Sequence, residues 1–236
     1  VAIESLGGFE TGEVIQYLKS ILFDRNFGGH ERYSAVRALC SIQERQEQDE
    51  ITHILERFHM RELESLRARY EDIRRDVDGH RYFVKIADEV EKYRTEYGFI
   101  FEYLEGSSTE DFLQLAEEIW YEIRNFKQAH NDLERFIAQY DPQGDSDLSA
   151  QIQINLSMQS TSINYLIKIV DGQIVDADFG HVSGSDILIN MDTSEFHNLA
   201  QIPVTRGLLD NLIATGKIEM RSVTLGIKTL LLFRLQ

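Results

Sequence analysis

The chain has 236 residues, a formal net charge of −16 at pH 7 and one cysteine. Its acidity argues against a nucleic-acid partner, because phosphates are neutralised by basic side chains, and no apolar run reaches the roughly 20 residues that span a bilayer. Cys40 has no partner for an internal disulfide, and the first nine residues lack the basic and apolar regions of a signal peptide. We therefore expect a cytoplasmic, acidic protein without a transmembrane segment.

Apolar residues recur at helical spacing through the first 140 residues. Helices are predicted over residues 11–23, 30–43, 44–77, 82–98 and 109–140, and the two longest have one apolar side and one charged side. Long amphipathic helices joined by short loops fold back as antiparallel bundles or pair as coiled coils across a dimer axis. We predict an all-helical domain over residues 1–144 that forms a homodimer or docks on a partner.

The segment that follows the last of these helices is rich in turn-forming residues. Residues 141–147 (DPQGDSD) combine proline, glycine and aspartate between the helical half and a segment with strand periodicity. The domain boundary is predicted here, and the second domain covers residues 145–236.

Alternation of polar and apolar residues predicts strands over residues 151–158, 162–170, 173–179 and 187–191. Asp171 and Gly172 suit the positive backbone angles of a two-residue hairpin. We interpret the four strands as a meander, in which each strand pairs with the next one along the chain.

Helical spacing returns after the fourth strand. Asp192 and Glu195 have the spacing of a capping box, and a second helix is expected to end at Gly216 in a left-handed cap. A fifth short strand is predicted over residues 217–221, and Ser222 is predicted to cap a final helix that is apolar nearly all round. Such a helix requires a cover of protein or ligand.

The order of these elements, with several short segments, resembles the lipid-transfer domain of the sterol carrier protein type 2 family. The matching segments are residues 170–172 (VDG), 186–191 (DILINM), 193–200 (TSEFHNLA) and 214–220 (ATGKIEM), followed by the apolar helix. The resemblance covers the last third of the chain. It implies a five-stranded, mainly antiparallel sheet with helices on one face, and hence an α+β fold for the whole protein. The preceding helical segment is expected to complete the helical layer.

The resemblance also implies an elongated apolar tunnel for a fatty acid, sterol or acyl-CoA. The chain departs from the family pattern at residues 221–222, where arginine and serine replace a usual glycine, and it lacks the tail that often helps to close the cavity. The residues expected to line the tunnel are Phe196, Leu199, Leu209, Leu212, Ile213, Ile227, Leu230 and Leu231. The alternative is a structural or regulatory assembly protein in which the same residues form a filled core.

No catalytic constellation stands out in the sequence, so an enzyme is not expected. Glu50 and His53 have the Glu-x-x-His spacing of di-iron bundles, and Glu118, Glu122 and His130 lie on another predicted helix, but the second copy of the motif is missing. We interpret these residues as a solvated charged face and Cys40 as a small core residue. The sequence thus predicts no metal site and no cofactor.

Overall fold

The computed structural model describes residues 2–9, 11–76, 79–104, 108–141, 147–158 and 162–233, with every side chain in these ranges except those of Ala2 and His80. The helices are α1 (Ala2–Ser5), α2 (Gly12–Phe23), α3 (Gly29–Gln46), α4 (Asp49–Arg75), α5 (Phe83–Tyr97), α6 (Ser108–Ala138), α7 (Thr193–Leu199), α8 (Arg206–Ala214) and α9 (Val223–Leu230). Short 3-10 helices cover Leu6–Gly8, Gly79–Tyr82 and Gly98–Tyr103. The strands are β1 (Ala150–Ser157), β2 (Ser162–Val170), β3 (Gln173–Phe179), β4 (Ile187–Asp192) and β5 (Ile218–Arg221). The α+β fold class is confirmed.

Two of the predicted helix boundaries have a clear local cause. The Thr11 side chain accepts a hydrogen bond from the Val14 backbone N–H and so caps α2. The break between α3 and α4 comes later than predicted, at Glu47, whose φ of 45° places it in the left-handed region. A single left-handed residue ends a helix, because it turns the next peptide off the helical path.

The chain divides into two compact units. The first contains Val1–Glu71 and Val84–Trp120, and the second contains Asp72–Phe83 and Tyr121–Gln236. The division therefore falls within α6 and not at residues 144–145. The functional domain boundary stays a prediction, but the C-terminal part of α6 belongs to the same compact unit as the sheet.

The long apolar stripes of the first unit are buried within the chain itself. Nine apolar side chains on α4 and α6 have relative exposures of 0–4%. They are Ile51, Ile54, Leu55, Phe58, Leu66, Tyr70, Phe112, Leu115 and Ile119. These apolar residues are therefore covered within one chain, without a second subunit.

The sheet is not the predicted meander. Its strand order is β3-β2-β1-β4-β5, and β4 runs parallel to β1, whereas the other three pairings are antiparallel. Residues 180–186 therefore cross the sheet from β3 to the far side of β1. The Gln153 side chain on β1 holds this crossing: its amide nitrogen donates to the Tyr165 and Gly180 carbonyls at 3.1 and 3.0 Å, and its amide oxygen accepts from the Val182 N–H at 2.9 Å.

The register places most of the apolar strand residues on one face of the sheet, which we call the inner face. The helices pack on this face, as predicted, and the C-terminal part of α6 supplies Ala129, Leu133 and Phe136 to the same core. This confirms that the preceding helical segment completes the layer. The inner face includes the buried residues Ile152, Ile154, Leu156, Ile163, Tyr165, Ile167, Ile169, Ile187, Ile189, Met191 and Ile218, and the partly buried Ile174, Ala177, Phe179 and Met220.

Several predicted turn and cap residues can be checked directly. Asp171 and Gly172 have φ of 49° and 71°, and Gly216 has φ of 71°, as the hairpin and the left-handed cap require. Asp192 makes no side-chain cap for α7, because its carboxylate accepts from the Ser157 hydroxyl instead. Ser222 also makes no side-chain cap. It adopts φ 62°, the backbone conformation for which glycine is suited, at the place where the family pattern has glycine.

Candidate functional site

The eight predicted ligand-lining residues lie in one core, on the helical side of the inner face. Six of them are buried in that core, and Ile213 and Leu231 are partly buried and packed against it. They come from α7, α8, α9 and the turn that follows α9. The eight residues therefore share one core, and their contact with a ligand stays a prediction.

Aromatic rings occupy the middle of this core. The Tyr165 ring lies 4.7 Å from that of Phe179 and 5.8 Å from that of Phe196, measured between ring centroids. Phe136 on α6 lies 5.5 Å from Phe196 and stacks on Phe233 at 4.2 Å. Tyr165 is thus surrounded by apolar rings on the inner face.

The Tyr165 hydroxyl is the chemically unusual group of this core. The side chain is fully buried, and no hydrogen-bond partner for its hydroxyl is found in the described parts of the chain. Burial raises the pKa of this phenol, and the nearby charge of Asp132 raises it further, so the hydroxyl stays protonated. A buried polar group without a partner costs about 1–3 kcal/mol. A polar atom of a bound ligand can supply the hydrogen-bond partner that this hydroxyl lacks.

A polar cleft of about 440 Å³ lies between α6 and α7 in the same unit. We call it the α6–α7 cleft. Its lining contains three side-chain amides, two hydroxyls, one carboxylate and one imidazole, and residues from α6 face residues from the start of α7. The lining residues are Asn125, Gln128, Ala129, Asp132, Thr193, Ser194, His197 and Asn198.

Asp132 is the buried centre of this cleft, with a side chain that is 2% exposed. Its two oxygens lie 3.0 and 2.9 Å from His197 Nδ1, and both accept from Gln128 Nε2 at 3.2 Å. Since a carboxylate accepts hydrogen bonds, Nδ1 carries the imidazole proton. The other ring nitrogen, Nε2, lies 2.7 Å from Gln201 Nε2 and accepts from that amide. The pair links α6 to α7.

Sequence reasoning missed this pair, although one signal was present. Asp132 shares a helical stripe with Ala129, Leu133 and Phe136, all of which are core residues. An acid on an apolar stripe is buried and needs a partner. His197 supplies that partner from 65 residues away.

The candidate residues of the first unit do not assemble into a reactive centre. Glu50 accepts from Gln16 Nε2 at 2.7 Å, and the His53 side chain is 79% exposed beside Glu56. Cys40 is buried, which confirms its assignment to the core, and burial raises the pKa of its thiol to about 12. Within the described residues, no group of three or more histidine, cysteine, aspartate or glutamate side chains is placed to hold a metal ion.

No helix in the described ranges is long and apolar enough to span a bilayer.

The chain matches no family model and no curated protein sequence. Among solved structures, it is similar to the solution NMR structure of palmitated SCP2L2 from Aedes aegypti, with 14% identity, a TM-score of 0.34, and coverage of 44% of this chain and 89% of that one. It is also similar to the crystal structure of Sterol Carrier Protein 2 Like 2 from the same organism, with 18% identity, a TM-score of 0.35, and coverage of 44% and 94%. Both names belong to the family that the last third of the chain resembles.

Proposed function

We propose that the second unit binds a long-chain apolar ligand between the inner face of the sheet and helices α7, α8 and α9. The predicted lining residues lie on that side of the sheet in one core. Burial of an alkyl chain contributes about 0.8 kcal/mol per methylene, which offsets the ordering cost of binding for a long chain. Lipid carriage is the function that this arrangement supports best, and the proposal includes no catalytic step.

The observation that carries the proposal is the buried Tyr165 hydroxyl. Its partner is missing from the described protein groups, while the surrounding rings are apolar. In a core that binds no ligand, phenylalanine would fill the same space as Tyr165 and would leave no hydrogen-bond donor unpaired. A ligand with a polar atom can form a hydrogen bond with the Tyr165 hydroxyl.

The test is displacement of a fluorescent fatty acid from the purified protein, with native mass spectrometry to detect a co-purified lipid. Leu212→Trp is expected to abolish probe binding while the melting temperature stays close to that of the wild type, because the indole fills the ligand space. Val223→Trp is the matched control: Val223 is 43% exposed on α9, so this variant should bind normally. Absence of probe binding by the wild type, with a large loss of stability in Leu212→Trp, would reject the proposal.

A specific observation favours the alternative, an assembly protein with a filled core. Six of the predicted lining residues are already at most 9% exposed in the protein without any ligand. In a filled core, Leu212→Trp overpacks and costs about 1–3 kcal/mol. The melting curves of the same variant therefore separate the two functions.

We also propose that the first unit forms a homodimer through an exposed face of α6. Leu113 and Trp120 are 44% and 46% exposed and lie two helical turns apart, so they share one side of the helix. The reducing cytoplasm stays the proposed compartment, in keeping with the buried free thiol of Cys40.

Sedimentation of the full chain tests the homodimer. The double variant Leu113→Lys with Trp120→Lys is expected to sediment as a monomer, because charges on an apolar interface oppose association. Val84→Lys, at a position that is 51% exposed in the same unit, is the control and should leave the dimer intact. A wild type that stays monomeric over a broad micromolar range contradicts the proposal.

A further inference from the structure

The α6–α7 cleft adjoins the apolar core of the second unit. Ala129 lines the cleft and also belongs to the core, and Asp132 in the cleft is followed by the core residue Leu133. On the other wall, His197 lines the cleft while its neighbour Phe196 packs against Tyr165 in the core. The cleft and the core thus share Ala129, and residues adjacent in sequence belong to one or the other on both walls.

The amides and hydroxyls of the cleft can donate or accept hydrogen bonds, whereas the Asp132 carboxylate can only accept them. Asp132 contributes two carboxylate oxygens, and the amides of Asn125 and Asn198 each contribute one oxygen. Of the described residues that line the cleft, none is lysine or arginine. Arg135 reaches Asp132 Oδ1 at 3.8 Å, but its side chain is 57% exposed and is not part of the lining.

A second carboxylate in this position is disfavoured. It would lie close to the buried Asp132 charge, and like charges repel more strongly where the surroundings exclude water. A hydroxyl or a protonated amine is favoured in this position, because it donates a hydrogen bond to the Asp132 carboxylate. The ammonium is also attracted by the negative charge. The fixed negative charge thus discriminates between lipid head groups that differ in one functional group.

We propose that the α6–α7 cleft is a head-group site for a hydrogen-bond-donating lipid, a long-chain alcohol or amine, and that Asp132 excludes free fatty acids from it. The proposal rests on the proposed binding of an apolar ligand by this unit. Asp132 receives the donor, His197 and Gln128 hold the carboxylate in place, and the alkyl chain extends past Ala129 toward Tyr165.

The experiment compares three ligands with the same alkyl chain: hexadecanol, hexadecylamine and palmitate. Each displaces a fluorescently labelled long-chain alcohol, which carries no carboxylate, from the 236-residue protein at neutral pH. We expect the alcohol and the amine to bind at least about tenfold more tightly than palmitate, the factor that corresponds to one additional favourable polar contact. Asp132→Asn should remove most of this preference by strengthening palmitate binding and weakening amine binding.

Two further variants keep the result interpretable. Glu134→Gln makes the same chemical change on an exposed side chain of α6, 68% exposed, and should keep the wild-type preference. Asp132→Ser also removes the negative charge while keeping a polar side chain, and it should lose the preference in the same way, so it repeats the test if Asp132→Asn unfolds.

The outcomes separate this proposal from the one on which it rests. If none of the three ligands displaces the probe and the probe itself does not bind, ligand binding by this unit is rejected. If all three bind equally, or palmitate binds best, ligand binding stands and the head-group assignment is overturned. If Asp132→Asn still binds the alcohol and the amine more tightly than palmitate, the selectivity comes from other residues and the proposed role of Asp132 is wrong.

Discussion

His59 is held by both of its ring nitrogens in the core of the first unit. Nε2 lies 3.1 Å from the Ser108 carbonyl oxygen, and Nδ1 lies 2.8 Å from the Tyr93 hydroxyl. Because a carbonyl oxygen accepts, Nε2 carries the proton, and Nδ1 accepts from Tyr93. Burial lowers the pKa of His59 and outweighs the hydrogen bond to Ser108, which raises it. The folded protein therefore holds this imidazole in its neutral form.

This arrangement predicts a loss of stability on mild acidification. The unfolded chain binds a proton near the ordinary histidine pKa of 6.5, which lies above the pKa in the folded state. The contribution of His59 to stability is thus present above about pH 6.5 and is lost as pH falls below it. Urea unfolding between pH 8 and pH 5 measures the effect.

His59→Phe should remove that pH-dependent loss, although it leaves the Tyr93 hydroxyl and the Ser108 carbonyl without a partner, at a cost of about 1–3 kcal/mol each. His53→Phe, at an exposed site on the same helix, is the control and should keep the wild-type pH dependence. An unchanged slope in His59→Phe would show that other groups cause the acid sensitivity.

At the scale of elements, α9 lies very close to the sheet. A Cβ atom at Gly226 would overlap Met220 Sδ on β5 and would come within 3.4 Å of Ile187 Cγ2 on β4. The absence of a side chain at this one position lets the helix approach the inner face. The close packing of α9 on the sheet therefore requires the missing side chain of Gly226 as well as the apolar residues of the helix.

Gly226→Val is expected to destabilise the protein by about 1–3 kcal/mol, since a branched side chain overpacks this contact. The matched control is Gly207→Ala on α8, where an added Cβ meets nothing within 4 Å. This control should be neutral or should stabilise by up to about 1 kcal/mol, because alanine favours helix. Equal melting temperatures for Gly226→Val and the wild type would contradict the close approach.

The Gln153 side chain of β1 makes hydrogen bonds to two residues of the crossing, Gly180 and Val182. Gln153→Met should weaken the crossing, because it removes the acceptor for the Val182 N–H and the donor to two carbonyls. We expect a loss of about 1–3 kcal/mol and faster hydrogen exchange at the Val182 amide. Gln151→Met, two residues earlier on the same side of the strand, serves as the comparison. Unchanged exchange at Val182 would mean that the loop is held by other contacts.

The strands could be predicted from the sequence, but their order could not. The alternation of Ile187, Ile189 and Met191 is the same whether β4 pairs with β3 or with β1, so periodicity carries no information about the neighbour. The deciding contacts join Gln153 to residues 180 and 182, which are distant in the chain. The Asp132–His197 pair was missed for the same reason, whereas the apolar lining residues followed from local helical spacing.

At the scale of the whole molecule, α6 contributes to both compact units. Ala129, Leu133 and Phe136, from its C-terminal part, lie in the core of the second unit. A fragment of residues 145–236 exposes the surface that these residues cover, and a fragment of residues 121–236 retains them. We expect the shorter fragment to have strand signal but a lower melting temperature and lower solubility.

Circular dichroism and solubility of the two fragments measure this difference. Phe136→Ala in the longer fragment is a useful comparison, because it should reproduce part of the defect, with a loss of about 3–5 kcal/mol for a buried phenylalanine. Equal stability of both fragments would show that the sheet and helices α7, α8 and α9 form a complete domain without α6.

The parallel pairing of β1 with β4 also fixes the order in which the sheet is completed during synthesis. Strands β1, β2 and β3 pair through short connections, while β4 reaches β1 only after the crossing loop is laid down. Contacts between distant segments form later, because the entropy of closing the intervening loop opposes them. On the ribosome, the β1 edge thus stays unpaired until β4 has emerged, and an open strand edge recruits strands of other chains. The β1 edge is therefore open to other chains during the interval between the emergence of Phe179 and that of Asp192 from the ribosome.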